Sequence, residues 1–178
     1  DTLVFGRRSG VHAAERAKNA SHLSIDDSAA KPDRENIQKL LSNDKNESYG
    51  KIRFDMGTAM KEHFGVFREK TSMAEGISKL NLIKQRAESV YVADKTKTFN
   101  TNLLFTLELE FMIECAETIA SSAFDRTESR GAHTRTDMPD RDDENWLKHI
   151  VVSNEYGKPT ISYEDVVITD WTPTVRQY

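Results

Sequence analysis

Asn100-Thr-Asn-Leu-Leu-Phe-Thr-Leu-Glu-Leu-Glu-Phe-Met-Ile-Glu-Cys-Ala-Glu-Thr-Ile-Ala-Ser-Ser-Ala-Phe-Asp125 is the longest helical pattern in the chain and decides the fold class. It holds no Gly or Pro, and it opens on Asn or Thr, which favour N-cap positions. Leu104, Leu107, Phe111, Cys115, Thr118 and Ile119 recur at helical spacing and are expected along one side. Two shorter patterns precede it. The stretch from about Ser48 to Phe64 places Ile52, Met56, Met60 and Phe64 four apart, with Gly65 expected as a left-handed terminator. The stretch from about Ser72 to Val90 carries Ile77, Leu80, Ile83, Ala87 and Val90, and Ser72 with Glu75 reads as a capping box. Three such helices joined by connections of about eight to ten residues predict an up-down-up bundle.

Outside the bundle the patterns weaken. Thr2 to about Lys18 predicts a helix with Leu3, Val4, Val11 and Ala14 on one face. Its Gly6 and Gly10 lower helix propensity and imply a backbone packed closely against something outside this segment. Ser24 to Pro32 reads as a loop, and Asp33 as the N-cap of a short helix through Leu41, ended by Asn43 to Asn46. Behind the third bundle helix comes Arg126-Thr-Glu-Ser-Arg-Gly-Ala-His-Thr-Arg135, which continues through Asp137, Met138 and Pro139 into Arg141-Asp-Asp-Glu-Asn-Trp-Leu-Lys-His149. Gly131 and Pro139 forbid one uninterrupted helix there, and Asp142 to Lys148 is read as a helical turn. Ile150 to Val152 and Thr160 to Tyr163 flank a loop rich in turn formers, which predicts a β-hairpin, with Val166 to Ile168 as a third short strand. Trp171 and Tyr178 in the tail require cover from elsewhere. The expected class is therefore mainly α: a three-helix up-down-up bundle, spectrin-repeat-like, with a preceding helix and a small C-terminal antiparallel β-hairpin arm. The divisions expected are 1–45 for the first helix and linker, 46–126 for the bundle, and 127–178 for charged loop, hairpin and tail.

Bulk composition narrows the function. The chain has 178 residues, 37% hydrophobic and 30% charged, which fits one domain with wet outer faces rather than a disordered segment. Its formal net charge is -4 with both signs interleaved, so it offers no broad basic field and no nucleic-acid partner is expected. Cys115 is the single cysteine; it is read as a small hydrophobe in an apolar run, and a disulfide within the chain is excluded. No apolar run reaches the roughly 20 residues that span a bilayer. The opening Asp1-Thr-Leu-Val-Phe-Gly lacks both methionine and a signal-peptide pattern, and reads as the interior of a longer chain.

The charged run is where chemistry would sit. Arg126, Arg130, His133 and Arg135 together are able to hold a carboxylate or phosphate through bidentate hydrogen bonds. Against that stands the supply of acids: Glu128, Asp137, Asp140, Asp142 and Asp143 match the bases, and an anion site normally leaves cationic charge uncommitted. An ion-pair network that fixes the loop and docks it to a neighbour is the preferred reading. His133 and His149 are too isolated for a metal set, and no zinc, phosphate-loop or nucleophile-elbow motif is present. Gly65-Val-Phe-Arg68 reads two ways at once: a helix-ending turn with Val66 and Phe67 plugging the core, and Arg68 reaching into a domain interface.

Four stretches resemble the flavoprotein subunit of succinate dehydrogenases and quinol:fumarate reductases. They are Asp1-Thr-Leu-Val-Phe-Gly-Arg7; Met56-Gly-Thr-Ala-Met60 with Gly65-Val-Phe-Arg68; Asp94 to Thr101 with Leu107-Glu-Leu109; and Glu128-Ser-Arg-Gly-Ala-His-Thr-Arg-Thr-Asp137 with its continuation to His149. They stand in family order, and Pro173, Arg176 and Tyr178 match the family's ending. L-aspartate oxidase shares the Glu-Ser-Arg-Gly segment, but the surroundings resemble the dehydrogenase branch. The resemblance implies the helical and C-terminal part of a subunit that interconverts succinate and fumarate with FAD. It implies an upstream flavin-binding domain of the same subunit, an iron-sulfur subunit and, indirectly, membrane anchor subunits as partners, at the cytoplasmic inner face of the membrane. It also implies that the flavin-linking, dicarboxylate-binding and proton-transferring residues precede Asp1, so no catalytic, cofactor-binding or metal residue is assigned here and no FAD is expected on this part alone. Arg68, Arg126, Arg130, His133, Arg135 and Arg176 are the candidates for supporting or domain-docking roles. The competing class is a stand-alone helical interaction module.

Overall fold

A computed structural model describes residues 2–44, 46–155 and 157–174. The chain divides between Ile37 and Gln38 into two compact units. In the first, helix α1 (Thr2–Asn19) leaves every residue exposed, including Leu3, Val4 and Val11. A 3-10 turn over Asp27–Ala30 is capped by the Asp26 carboxylate, which accepts from Ser28 N at 3.0 Å, and it runs directly into α2 (Lys31–Ser42). Asp33 is thus inside the first turn of α2 rather than its cap. The 3-10 turn moves the start of ordered backbone upstream, and Pro32 sits in the first turn, where its missing N–H leaves nothing unpaired.

The second unit carries the bundle: α3 (Tyr49–Phe64), α4 (Lys70–Ala87) and α5 (Thr101–Asp125). Ser48 caps α3 by accepting from Lys51 N, and Asn100 caps α5 by accepting from Leu103 N at 2.8 Å. Glu69, not Ser72, caps α4: its two carboxylate oxygens take the Thr71 and Ser72 N–H groups at 3.1 Å each. A carboxylate satisfies two orphan donors where a hydroxyl satisfies one. Ser72 is freed for a 2.9 Å contact with His63 Nδ1. Gly65 is not left-handed (φ -66°, ψ -150°); a Cβ there would lie 2.7 Å from the Lys61 carbonyl, so close approach explains the glycine.

The core joins Ile52, Met56, Ala59 and Phe64 of α3, Met73, Leu80 and Ile83 of α4, Val90, and Leu109, Ile113, Ala116, Ala120 and Ala123 of α5. The face of α5 that enters it is not the expected one. Leu104, Phe111, Cys115, Thr118 and Ile119 are exposed, Phe111 by 65%, and Leu107 is only partly covered. The helix carries apolar residues on two sides, so periodicity alone admits either; the alanine-bearing side wins because short side chains let α3 and α4 approach closely. Val66 and Phe67 likewise do not plug the core: they are 70% and 73% exposed. They lead into a two-residue strand, β1 (Phe67–Arg68), paired in parallel with β2 (Thr134–Arg135). After a helical turn, α6 (Asp143–Trp146), strands β3 (Lys148–Glu155) and β4 (Lys158–Asp165) form the expected antiparallel hairpin, in register from Lys148↔Asp165 to Glu155↔Lys158. Val166–Ile168 add no strand, and Trp171 is exposed.

Gly76 marks where α3 and α4 touch: a Cβ there would meet Phe64 Cε2 at 2.5 Å and His63 Cβ at 2.6 Å. Gly57 of α3 has open space instead. Gly76→Ala is expected to lower the unfolding free energy by about 1–3 kcal/mol despite its helix-propensity gain, whereas Gly57→Ala raises it by about 0.5–1 kcal/mol. Urea unfolding of the two variants checks the pair.

Candidate functional site

Where α5 ends, the Arg126 N–H donates to the Ser122 carbonyl and the chain leaves the helix. Arg130 and His133 exchange backbone hydrogen bonds at 2.9 and 3.0 Å around a tight turn, and Gly131 at φ +60° supplies the left-handed residue it needs. Ser129 stitches the loop: its hydroxyl contacts the Met138 carbonyl at 2.8 Å and accepts from Arg135 N at 2.8 Å. Thr136 N donates to the Arg68 carbonyl, which fastens the loop to β1.

At the centre lies Glu128, 1% exposed. Its carboxylate accepts from Arg126 Nη1 at 2.6 Å, from Arg130 Nε and Nη2 at 2.7 and 3.0 Å, and from Asp142 N at 2.7 Å. Burial pushes this carboxyl up, but the bonds from Arg130, Asp142 N and Arg126 together outweigh burial and hold it below the usual carboxylate range. Arg130 reaches on to Asp143 at 2.6 Å; Asp143 also binds Arg141, which donates to the Thr174 carbonyl. Arg135, 1% exposed, forms a two-pronged pair with Asp137 at 2.7 and 2.6 Å and donates to the Arg126 carbonyl at 2.9 Å. The Arg135 hydrogen bond holds Asp137 down to about 2. Two of the expected counter-ions serve otherwise: Asp142 caps α6 by accepting from Asn145 N, and Asp140 takes part through its carbonyl, which accepts from Ser129 N. Apolar cover comes from Trp146, whose Nε1 donates to the Thr127 hydroxyl at 2.7 Å. Arg126 stacks 5.0 Å from its ring centroid, and Lys148 stands 4.7 Å from the same ring and 4.0 Å from Tyr163.

Arg68 and His133 meet at 2.7 Å, Nη1 to Nδ1, across 65 residues of sequence. Arg68 Nε donates to the Gly65 and Phe64 carbonyls, so the same side chain closes the end of α3. Burial keeps the His133 imidazole neutral, with the Arg68, Arg135 and Arg126 charges acting in the same direction and the Arg126 carbonyl opposing. A neutral imidazole presents a lone pair to Arg68. Five of the six candidates, Arg68, Arg126, Arg130, His133 and Arg135, therefore belong to one knot; Arg176 lies outside the described residues. The Arg68–His133 contact, the β1–β2 pair and the Trp146–Thr127 bond leave no local pattern in sequence, because each joins segments without shared periodicity. Among the described residues no cluster of His, Cys, Asp or Glu is arranged to hold a metal ion.

The profile of the fumarate reductase flavoprotein C-terminal family matches residues 53–178. The fumarate reductase flavoprotein subunit of Haemophilus influenzae is 40% identical over the whole chain, which covers 30% of that subunit. The succinate dehydrogenase flavoprotein subunit of Rickettsia conorii is 36% identical over 98% of the chain and 30% of its own length. A solved Escherichia coli quinol fumarate reductase FrdA chain (E245Q mutation) superposes with a TM-score of 0.89 at 37% identity, over 97% of this chain and 30% of that one. The chain thus spans about a third of the length of these relatives.

Two measurements test the knot. Glu128→Ala leaves Arg126 and Arg130 without their shared buried carboxylate and is expected to cost about 3–5 kcal/mol in denaturant unfolding. His133 titrates below its ordinary value of 6.5 in the fold, so the unfolded chain takes up its proton first. Stability is then complete above about pH 6.5 and declines as pH falls below it. Between pH 7.5 and 5.5 wild type is expected to lose more stability than His133→Asn; equal losses would clear His133 of the effect.

Proposed function

The chain belongs to the fumarate reductase flavoprotein C-terminal family, and on that premise we propose that it is the C-terminal part of a subunit that interconverts succinate and fumarate with FAD. The observation that carries this reading is alignment along essentially the whole chain with both fumarate reductase and succinate dehydrogenase subunits. The intact subunit exchanges electrons with an iron-sulfur subunit and, through membrane anchor subunits, with quinone at the cytoplasmic face of the membrane. Among the described residues no helix is long and apolar enough to cross a membrane. The relatives above carry fumarate reductase and succinate dehydrogenase names, which favours this reading over L-aspartate oxidase or a stand-alone interaction module.

The paired arginines of the knot are not free to hold a flavin. The cations best placed to hold a pyrophosphate, Arg126, Arg130 and Arg135, are each engaged by Glu128, Asp143 or Asp137. No chemical step is therefore assigned to this chain. Its role is to hold a rigid surface against the flavin-binding part of the subunit, with Arg126, Arg130 and Arg135 fixing that surface from behind and Arg176 as a further docking residue.

The isolated chain is expected neither to retain FAD nor to oxidise succinate, while the intact subunit does both; flavin binding or turnover by the chain alone would overturn the proposal. Arg130→Ala is expected to destabilise the knot by about 2 kcal/mol and to lower the flavin content of the intact subunit. Unchanged flavin content and turnover in that variant would remove Arg130 from the docking role.

A further inference from the structure

Every arginine of the knot has a carboxylate partner except one. Arg126, Arg130, Arg135 and Arg141 pair with Glu128, Asp137 or Asp143 at 2.6–2.7 Å. Arg68 has none among the described residues. Its Nε serves two backbone carbonyls and its Nη1 meets the neutral His133, which leaves Nη2 and its two N–H groups without a partner among the described residues. Burial shifts this guanidinium downward, and the neighbouring Glu69 is engaged in capping α4 rather than in pairing with Arg68. Beside it stand Val66 and Phe67, 70% and 73% exposed, and Phe67 opens the two-residue strand β1 that Arg68 completes. Among the described residues that strand pairs in parallel with β2 alone, so its other edge is open. A half-buried cation without a counter-ion, next to an exposed aromatic ring, has the composition of the centre of a protein interface rather than of its solvated rim.

We propose that Arg68 receives a carboxylate side chain from the flavin-binding part of the same subunit, with His133 fixing the guanidinium and Val66 and Phe67 forming the apolar border of the contact. The inference rests on the functional reading above and deepens it by naming the anchoring chemistry. Charge complementarity commits the occupant: a guanidinium held by His133 from one side presents its remaining N–H pair as a fork, which a carboxylate matches in two-pronged fashion. The chain covers about a third of its relatives' length, so the carboxylate has ample further polypeptide to come from.

The test uses the intact flavoprotein subunit. Arg68→Gln and Phe67→Ser are each expected to speed flavin loss during gel filtration by roughly tenfold or more. Both should also raise the rate of limited proteolysis between the flavin-binding part and this chain. Phe67→Ser keeps folding out of the question: Phe67 is exposed, so the 178-residue chain carrying it should melt within about 2 °C of wild type. Wild-type docking should weaken with added salt, and the Arg68→Gln subunit should have lost that dependence. Unchanged flavin retention and proteolysis in both variants overturn the inference. Loss of iron-sulfur subunit binding with flavin retention and proteolysis at wild-type levels also overturns it, by assigning the carboxylate to another chain. A wild-type subunit that holds no flavin at all overturns the functional reading instead.

Discussion

A single buried carboxylate organises the second half of this protein. Glu128 lies just past the end of α5, and the four hydrogen bonds it accepts come from the helix terminus, the Arg130 turn and the start of α6. Removing an ion from water is costly, and the cost is offset only when geometry and partners are both good. Here three consecutive features must be formed together before Glu128 is satisfied. That requirement excludes most other paths the loop could take after α5, which is a contribution to uniqueness more than to net stability.

From this centre the constraint spreads outward through shared atoms. Arg126 accepts at its carbonyl from Arg135 while its guanidinium binds Glu128 and covers the Trp146 ring, so one residue couples two ion pairs and the apolar lid. Asp137 pairs with Arg135 and also accepts from Lys70 N at the first turn of α4, which ties the knot to the bundle. Tyr163 donates to Asp125 at 2.7 Å, and the hairpin is thereby anchored to the last residue of α5. The bundle, the knot and the hairpin thus share α5 as their common support.

Helix existence and most helix ends are legible in sequence because they depend on neighbours a few residues away. Ser48, Asn100 and Asp142 act at their helix starts through side chains that reach only to the third residue beyond. The start of α4 is misread because Glu69, three residues before Ser72, starts the helix first by taking the Thr71 and Ser72 N–H groups on its two carboxylate oxygens. The buried side of α5 is misread for a different reason: with apolar residues on both sides, the choice is made by how closely α3 and α4 can approach, a property of the packed bundle. In the charged run the balance of acids and bases is visible from composition, and it correctly anticipates that Arg126, Arg130 and Arg135 are paired. Which acids do the pairing is not visible, because Asp140 and Asp142 are diverted to backbone and cap duties by the path of the loop.

Arg68 shows why pairing across distance matters. Judged locally it follows a glycine-ended helix and precedes a capping glutamate, which suggests an interface residue but does not show what holds its side chain. Only after the knot has folded does His133 arrive beside it, and His133 arrives neutral, since burial and the neighbouring arginines remove its proton. A protonated histidine there would repel Arg68; a carboxylate there would neutralise it. The imidazole does neither. It orients the guanidinium and leaves its charge intact, so the fold that satisfies every other arginine of the knot delivers this one to the surface still able to bind an anion.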